Sequence, residues 1–168
     1  GSTDAAAVLH ALSAFWNLTN SRDNLNKIAK ELGADVPVCL TRTPSIVRGI
    51  GDKIFPLYHF PEIWLVLANP GQPVASHDVY AAHVKNFSKP SSIDTKFKTP
   101  REFLDYLSHC NNDLTQAAIR TAPIISKVLK EINATKNQLL SRVSGSGATC
   151  FAIYEDKKSA QGAASELK

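Results

Sequence analysis

Between residues 139 and 154 two apolar runs, Leu139-Leu140-Ser141-Arg142-Val143 and Cys150-Phe151-Ala152-Ile153-Tyr154, flank the segment Ser144-Gly145-Ser146-Gly147-Ala148-Thr149. The second run reads as a strand and the first less cleanly so. Glycine accepts positive φ and lets a ligand or another segment come close to the backbone. Successive N–H groups in such a turn can form a concave anion site. A plain hairpin-type connection accounts for a Gly-x-Gly as readily, so these residues alone leave both readings open.

A chain of 168 residues admits one large domain or two small ones with a substantial core. Hydrophobic residues at 43% and charged residues at 20% describe a globular protein. No apolar run approaches the roughly 20 residues that span a membrane, and no signal-peptide series is present. The formal charge of +4 is scattered, its tightest pair being Lys157-Lys158. That is too little for a nucleic-acid tract, and it fits an anionic small substrate or no role at all. Cys39, Cys110 and Cys150 are odd in number and far apart, without a CxxC spacing, and the five histidines form no HExxH. Reduced cytoplasmic thiols and no metal site are expected.

Ser2 or Thr3 reads as the cap of a first helix with Asp4 in its first turn and an apolar stripe at Ala5, Val8, Leu9, Leu12 and Trp16. The abrupt opening, without methionine, is expected of a sequence cut from a longer one. Ser21 reads as the cap of a second helix striped by Leu25, Ile28, Ala29 and Leu32, with Gly33 at its exit. Pro37 biases Val36 away from helix and places Asp35 where the chain turns, as a cap or as a base facing a cleft. Ser45–Val47 and Lys53–Leu57 read as a strand pair joined through Gly51-Asp52, and a domain boundary is expected between Pro56 and Pro61. The run Ile63–Ala68 reads as a strand covered on both faces. Asn69-Pro70-Gly71-Gln72-Pro73 then turns into a helix over 76–84, with Ser76 as cap and Tyr80 either core or a ring for stacking. Residues 85–98 read as an exposed loop. Helices are expected over 102–107 and 113–119, then from a Thr121 cap with Pro123 in the first turn and a stripe at Ile124, Ile125, Val128, Leu129 and Ile132, and over 159–167. The second half is therefore α+β.

Five segments stand in the order found in the GHMP family of small-molecule kinases. They are Gly1-Ser2-Thr3-Asp4-Ala5-Ala6, Leu32-Gly33-Ala34-Asp35-Val36-Pro37, Asn69-Pro70-Gly71, Asn112-Asp113-Leu114 and Ser144–Thr149. The chain resembles this family over essentially its whole length. Its second, third and fourth segments resemble the branch that phosphorylates the 2-hydroxyl of a cytidine-diphosphate derivative of methylerythritol in non-mevalonate isoprenoid precursor synthesis. The resemblance implies an α+β fold of two domains. Residues 1–60 would be the remainder of the ATP-binding domain, of the ribosomal-protein-S5-domain-2-like type, and 61–168 a ferredoxin-like α/β-plait domain.

The same resemblance implies ATP as donor, with Mg2+. Gly1, Ser2, Thr3 and Asp4 would be the trailing half of a phosphate loop, and Asp35 the general base. Ser76, Tyr80, Gly145, Ser146 and Gly147 would bind substrate, with Tyr80 stacking on cytosine. Asn112 and Asp113 would anchor a loop between the domains. The implied partner is a small cytidine diphosphate derivative, with neither nucleic acid nor membrane, in the cytoplasm, and a homodimer is left open. The family's first hundred or so residues, including an assisting lysine, and its last strand have no counterpart here. Negligible kinase activity and an exposed apolar face are therefore expected of these 168 residues alone. The alternatives are a non-catalytic nucleotide-binding or structural fragment, and a GHMP kinase for another alcohol such as homoserine or mevalonate. A serine hydrolase lacks its elbow, and a P-loop enzyme lacks Gly-Lys-Ser or Gly-Lys-Thr.

Overall fold

In a computed structural model describing residues 1–18, 22–84, 87–89 and 96–168, the chain divides into two units, Gly1–Phe60 and Pro61–Lys168. The first holds helices α1 (Ser2–Phe15), α2 (Arg22–Leu32) and α3 (Val36–Thr41), then the antiparallel strands β1 (Ser45–Arg48) and β2 (Lys53–Pro56). Ser21 lies outside the described residues.

Small side chains decide how α1 packs. Ala6 is buried with Ala29 of α2 and Val36 of α3, and Ala5, Leu9, Cys39 and Leu40 close around them. The expected α1 stripe therefore divides. Ala5 and Leu9 face neighbours, while Val8, Leu12 and Trp16, joined by Phe15, form a second stripe in solvent. Ile28 and Leu32 of α2 are likewise exposed. Pro37 does not hold Val36 out of the helix, because Val36 opens α3 with Pro37 in its first turn. There the missing proline N–H costs nothing, since first-turn N–H groups lack intrahelical partners anyway. Gly51 has φ +98°, and a Cβ there would come 2.6 Å from Ala34 O. The hairpin turn thus rests on the residue before Asp35.

The second unit runs β3 (Trp64–Ala68), α4 (Ser76–Ala82), α5 (Pro100–Ser108), α6 (Thr115–Thr121), α7 (Ile124–Ala134), β4 (Gln138–Val143), β5 (Cys150–Tyr154) and α8 (Lys157–Glu166). Its sheet has the order β3-β5-β4, antiparallel throughout, with Val66 opposite Ala152 and Val143 opposite Cys150. One sheet face carries Val66, Val143, Cys150, Ala152 and Tyr154, which form a core with Val79, Ala117, Ala118, Ile125, Ile132, Ala160 and Ala163 from the helices. Inside it the hydroxyls of Tyr154 and Thr135 lie 2.7 Å apart, and Thr135 Oγ1 donates to Ile132 O.

The α7 stripe packs as its spacing requires, but several boundaries differ from expectation. Thr121 ends α6 and Pro123 stands at the N-cap of α7, so Thr121 is not that helix's cap. α5 starts at Pro100, with Thr99 Oγ1 accepting from the Glu102 N–H, and α8 starts at Lys157, capped by Asp156. β3 is an edge strand covered on one face only, with Leu67 67% exposed and Leu65 close behind. Its continuous apolar character does not report two-sided burial, because α7 and α8 pack on the opposite face. The guanidinium of Arg142, on β4, donates to Leu107 O of α5. In the expected loop at 85–98, residues 85, 86 and 90–95 lie outside the described ones. Phe97 is buried there, its ring 5.1 Å from Phe103 and 5.4 Å from Tyr106. Among the described residues no helix is long and apolar enough to cross a membrane.

Candidate functional site

Within the second unit the turn between β4 and β5 meets the amino end of α4. The turn closes on itself through Ser144 N–H to Thr149 O and Gly147 N–H to Ser144 O, both 2.9 Å. Gly147 has φ +88°, and a Cβ on it would lie 2.8 Å from Ile125 Cδ1, so only glycine lets the turn settle on α7. Gly145, at φ +54°, faces open space.

Ser76 is the first residue of α4, after Ala75 at the N-cap, so it does not cap the helix. Its hydroxyl instead lies 2.8 Å from that of Ser146. Tyr80, one turn further along the same helix face, is 63% exposed, while Val79 beside it is fully buried and anchors α4. Of the two readings for Tyr80, core is excluded. The structure thus brings Ser76, Ser146 and the two glycines together and leaves the Tyr80 ring free on the adjoining face.

Two asparagines complete this neighbourhood. Asn69 Oδ1 accepts from Gly71 N–H and its Nδ2 donates to Thr149 Oγ1, both at 2.8 Å. Asn112 Nδ2 donates to Val143 O at 2.9 Å and Gly145 O at 2.8 Å, and its Oδ1 accepts from Leu114 N–H at 3.0 Å. Asn112 therefore braces the glycine turn within the second unit. Asp113 accepts from the N–H and hydroxyl of Ser88, which hold its carboxyl below the usual range. Asn-Pro-Gly is legible as a turn, but partners 31 to 80 residues away leave no local signal.

In the first unit Asp35 occupies the N-cap position of α3, yet its exposed carboxylate makes no cap hydrogen bond. Of its two sequence readings, the cap is not realised. Gly1, and not Ser2 or Thr3, stands at the N-cap of α1. Thr3 Oγ1 lies 3.8 Å from Cys39 Sγ, one turn beyond Asp35 on α3. First-turn N–H groups and the helix dipole make the amino end of α1 favourable for an anion. Among the described residues no group of three or more His, Cys, Asp or Glu side chains is placed to hold a metal. The three cysteines are unpaired, and burial pushes the Cys150 thiol up, away from reactivity.

The family model described as GHMP kinases C terminal matches residues 96–168. A protein of Paramagnetospirillum magneticum named 4-diphosphocytidyl-2-C-methyl-D-erythritol kinase is 39% identical over 167 residues, 99% of this chain and 59% of its own length. A kinase of the same name from Mesorhizobium japonicum is 41% identical over 173 residues, 100% of this chain and 57% of its own. A solved crystal structure titled 4-(cytidine 5'-diphospho)-2C-methyl-D-erythritol kinase superposes with a TM-score of 0.78 at 30% identity, covering 99% of this chain and 60% of that one. The chain thus spans a little over half the length of the curated relatives it matches.

Proposed function

We propose, from its similarity to GHMP kinases, that the chain is a member of that family and serves transfer of the terminal phosphoryl group of ATP to the 2-hydroxyl of 4-diphosphocytidyl-2-C-methyl-D-erythritol, a step of non-mevalonate isoprenoid precursor synthesis. In this reading the first unit is the remainder of the ribosomal-protein-S5-domain-2-like ATP-binding domain, and the second is the ferredoxin-like domain.

The observation that carries the reading is the Ser76–Ser146 hydroxyl pair with the exposed Tyr80 ring one helical turn away. A flat aromatic face suits a pyrimidine, and the paired hydroxyls with the turn's N–H groups suit the polar part of a nucleotide. Asp35, exposed and without a cap bond, is the general base that orients and deprotonates the attacking hydroxyl. Gly1, Ser2, Thr3 and Asp4 present first-turn N–H groups and hydroxyls to the donor's phosphates. The oxygen donors Ser2, Thr3 and Asp4 fit a Mg2+ held mainly by those phosphates. When bound, that ion supplies neutralisation of charge on the transferring group.

Titration calorimetry with cytidine diphosphate, paired with a phosphoryl-transfer assay, tests the reading. Tyr80→Ala is expected to weaken binding about tenfold or more, from stacking worth roughly 1–3 kcal/mol per base. These 168 residues alone are expected to transfer negligibly; in a chain completed by the family's amino-terminal half, Asp35→Asn is expected to leave that affinity unchanged and remove transfer. Equal preference for homoserine or mevalonate, or Tyr80→Ala without effect, would overturn it.

A further inference from the structure

We propose that Asn112 is a positioning residue that aims the backbone N–H of Ser146 at an anionic ligand group; the ligand side of this inference rests on the nucleotide reading above. Every hydrogen-bonding group of the Asn112 carboxamide is used. Its two N–H donors take Val143 O, at the end of β4, and Gly145 O, within the turn, while its oxygen takes the Leu114 N–H. Holding Gly145 O has a geometric consequence one bond further on. The 145–146 peptide is trans, so its N–H points opposite to its C=O. With the carbonyl drawn toward Asn112, the Ser146 N–H faces away from the segment before α6, and it donates to no acceptor among the described residues. It projects from the residue whose hydroxyl already meets Ser76.

The turn cannot find this orientation by itself. Gly145 has no Cβ, and one built there would meet nothing within 4 Å, so no side-chain packing sets its peptide planes and something outside the turn must fix them. Gly147 is seated against Ile125, and Thr149 is tied to Asn69, which secures the far arm. Asn112 secures the near arm. An N–H fixed in advance binds an anion without the cost of ordering it at the moment of binding. The group it fits is a phosphate oxygen, specifically that of a nucleoside diphosphate whose sugar and base lie toward Ser76 and Tyr80.

The test uses the full 168-residue chain labelled with nitrogen-15. Addition of cytidine diphosphate is expected to shift the Ser146 amide resonance, and addition of cytidine alone to leave it in place. Asn112→Asp keeps the acceptor for Leu114 but turns both donors into acceptors facing carbonyl oxygens. It is expected to move the Ser146 resonance in the unliganded protein and to reduce affinity for cytidine diphosphate about tenfold. Affinity for cytidine stays the same, and Asn112→Gln restores part of the difference. A Ser146 resonance that ignores the diphosphate in the unaltered chain overturns the proposal without recourse to any variant. Equal weakening of both ligands in Asn112→Asp overturns it too, since that is what general loosening produces. Failure of the unaltered chain to bind either ligand counts against the nucleotide reading. The orientation itself is refuted by an unmoved Ser146 resonance in Asn112→Asp.

Discussion

At the scale of single residues, the two glycines of the β4–β5 turn look alike in sequence and differ in their surroundings. Both sit at positive φ, but a side chain at 147 would meet Ile125 at 2.8 Å and Val143 at 3.5 Å, whereas one at 145 meets nothing within 4 Å. Gly147→Ala therefore combines left-handed strain with overpacking, for about 2–4 kcal/mol. Gly145→Ala carries the strain alone, about 1 kcal/mol. Urea denaturation of the two variants is expected to separate them in that order, and equal midpoints would show that Ile125 yields without cost. Asp35 illustrates a different limit. That the chain turns at Asp35 was legible, but the helix that follows was not, and whether the Asp35 carboxylate caps that helix depends on the side-chain rotamer, which neighbouring residue types do not determine.

At the scale of elements, capping explains where several helices begin. Asp156 accepts from the N–H of Ser159 at 2.8 Å and from its hydroxyl at 3.1 Å, and these bonds lower its pKa. A carboxyl whose folded pKa lies below its unfolded value stabilises fully above the unfolded value, and that contribution is lost as pH falls through the folded one. The α8 cap, and likewise the Asp113–Ser88 tether, should therefore weaken on acidification below the ordinary carboxylate range. The difference in denaturation midpoint between the unaltered chain and Asp156→Asn is expected to shrink as pH falls through that window. A constant difference down to strong acid would refute the charged cap. The corrected elements have different causes. Val36 entered a helix despite Pro37 because a proline in the first turn forfeits no intrahelical bond. By contrast, β3 left Leu65 and Leu67 in solvent because its apolar pattern is silent about which neighbours arrive.

At the scale of the whole molecule, the two units bury very different cores. Among the described residues, the first relies on a cluster of Ala6, Ala29 and Val36 with a few half-buried partners, whereas the second assembles a cluster of thirteen buried residues around β5. A 60-residue unit is marginal even with a good core. Residues 61–168 expressed alone are expected to unfold cooperatively in denaturant, and residues 1–60 alone to show no cooperative transition. A sharp transition in the shorter piece would mean that its small core suffices. The exposed stripe of α1 carries its own signature. Trp16, 58% exposed, should be quenched by acrylamide more strongly than the half-buried Trp64.

The sequence by itself determined the run of elements in the second unit and all but α3 in the first, the need for glycine in the two sharp turns, the buried stripe of α7 and the motifs that resemble those of GHMP kinases. Each of these is written in residues a few positions apart, through periodicity, capping and allowed φ. Tertiary structure alone decided that Ser76 meets Ser146 across 70 residues, that Asn69 reaches Thr149 across 80, and that Asn112 grips the turn it helps to shape. Such pairs depend on how whole helices and strands stack, and a side chain's partner across that distance is set by packing, which no local pattern encodes.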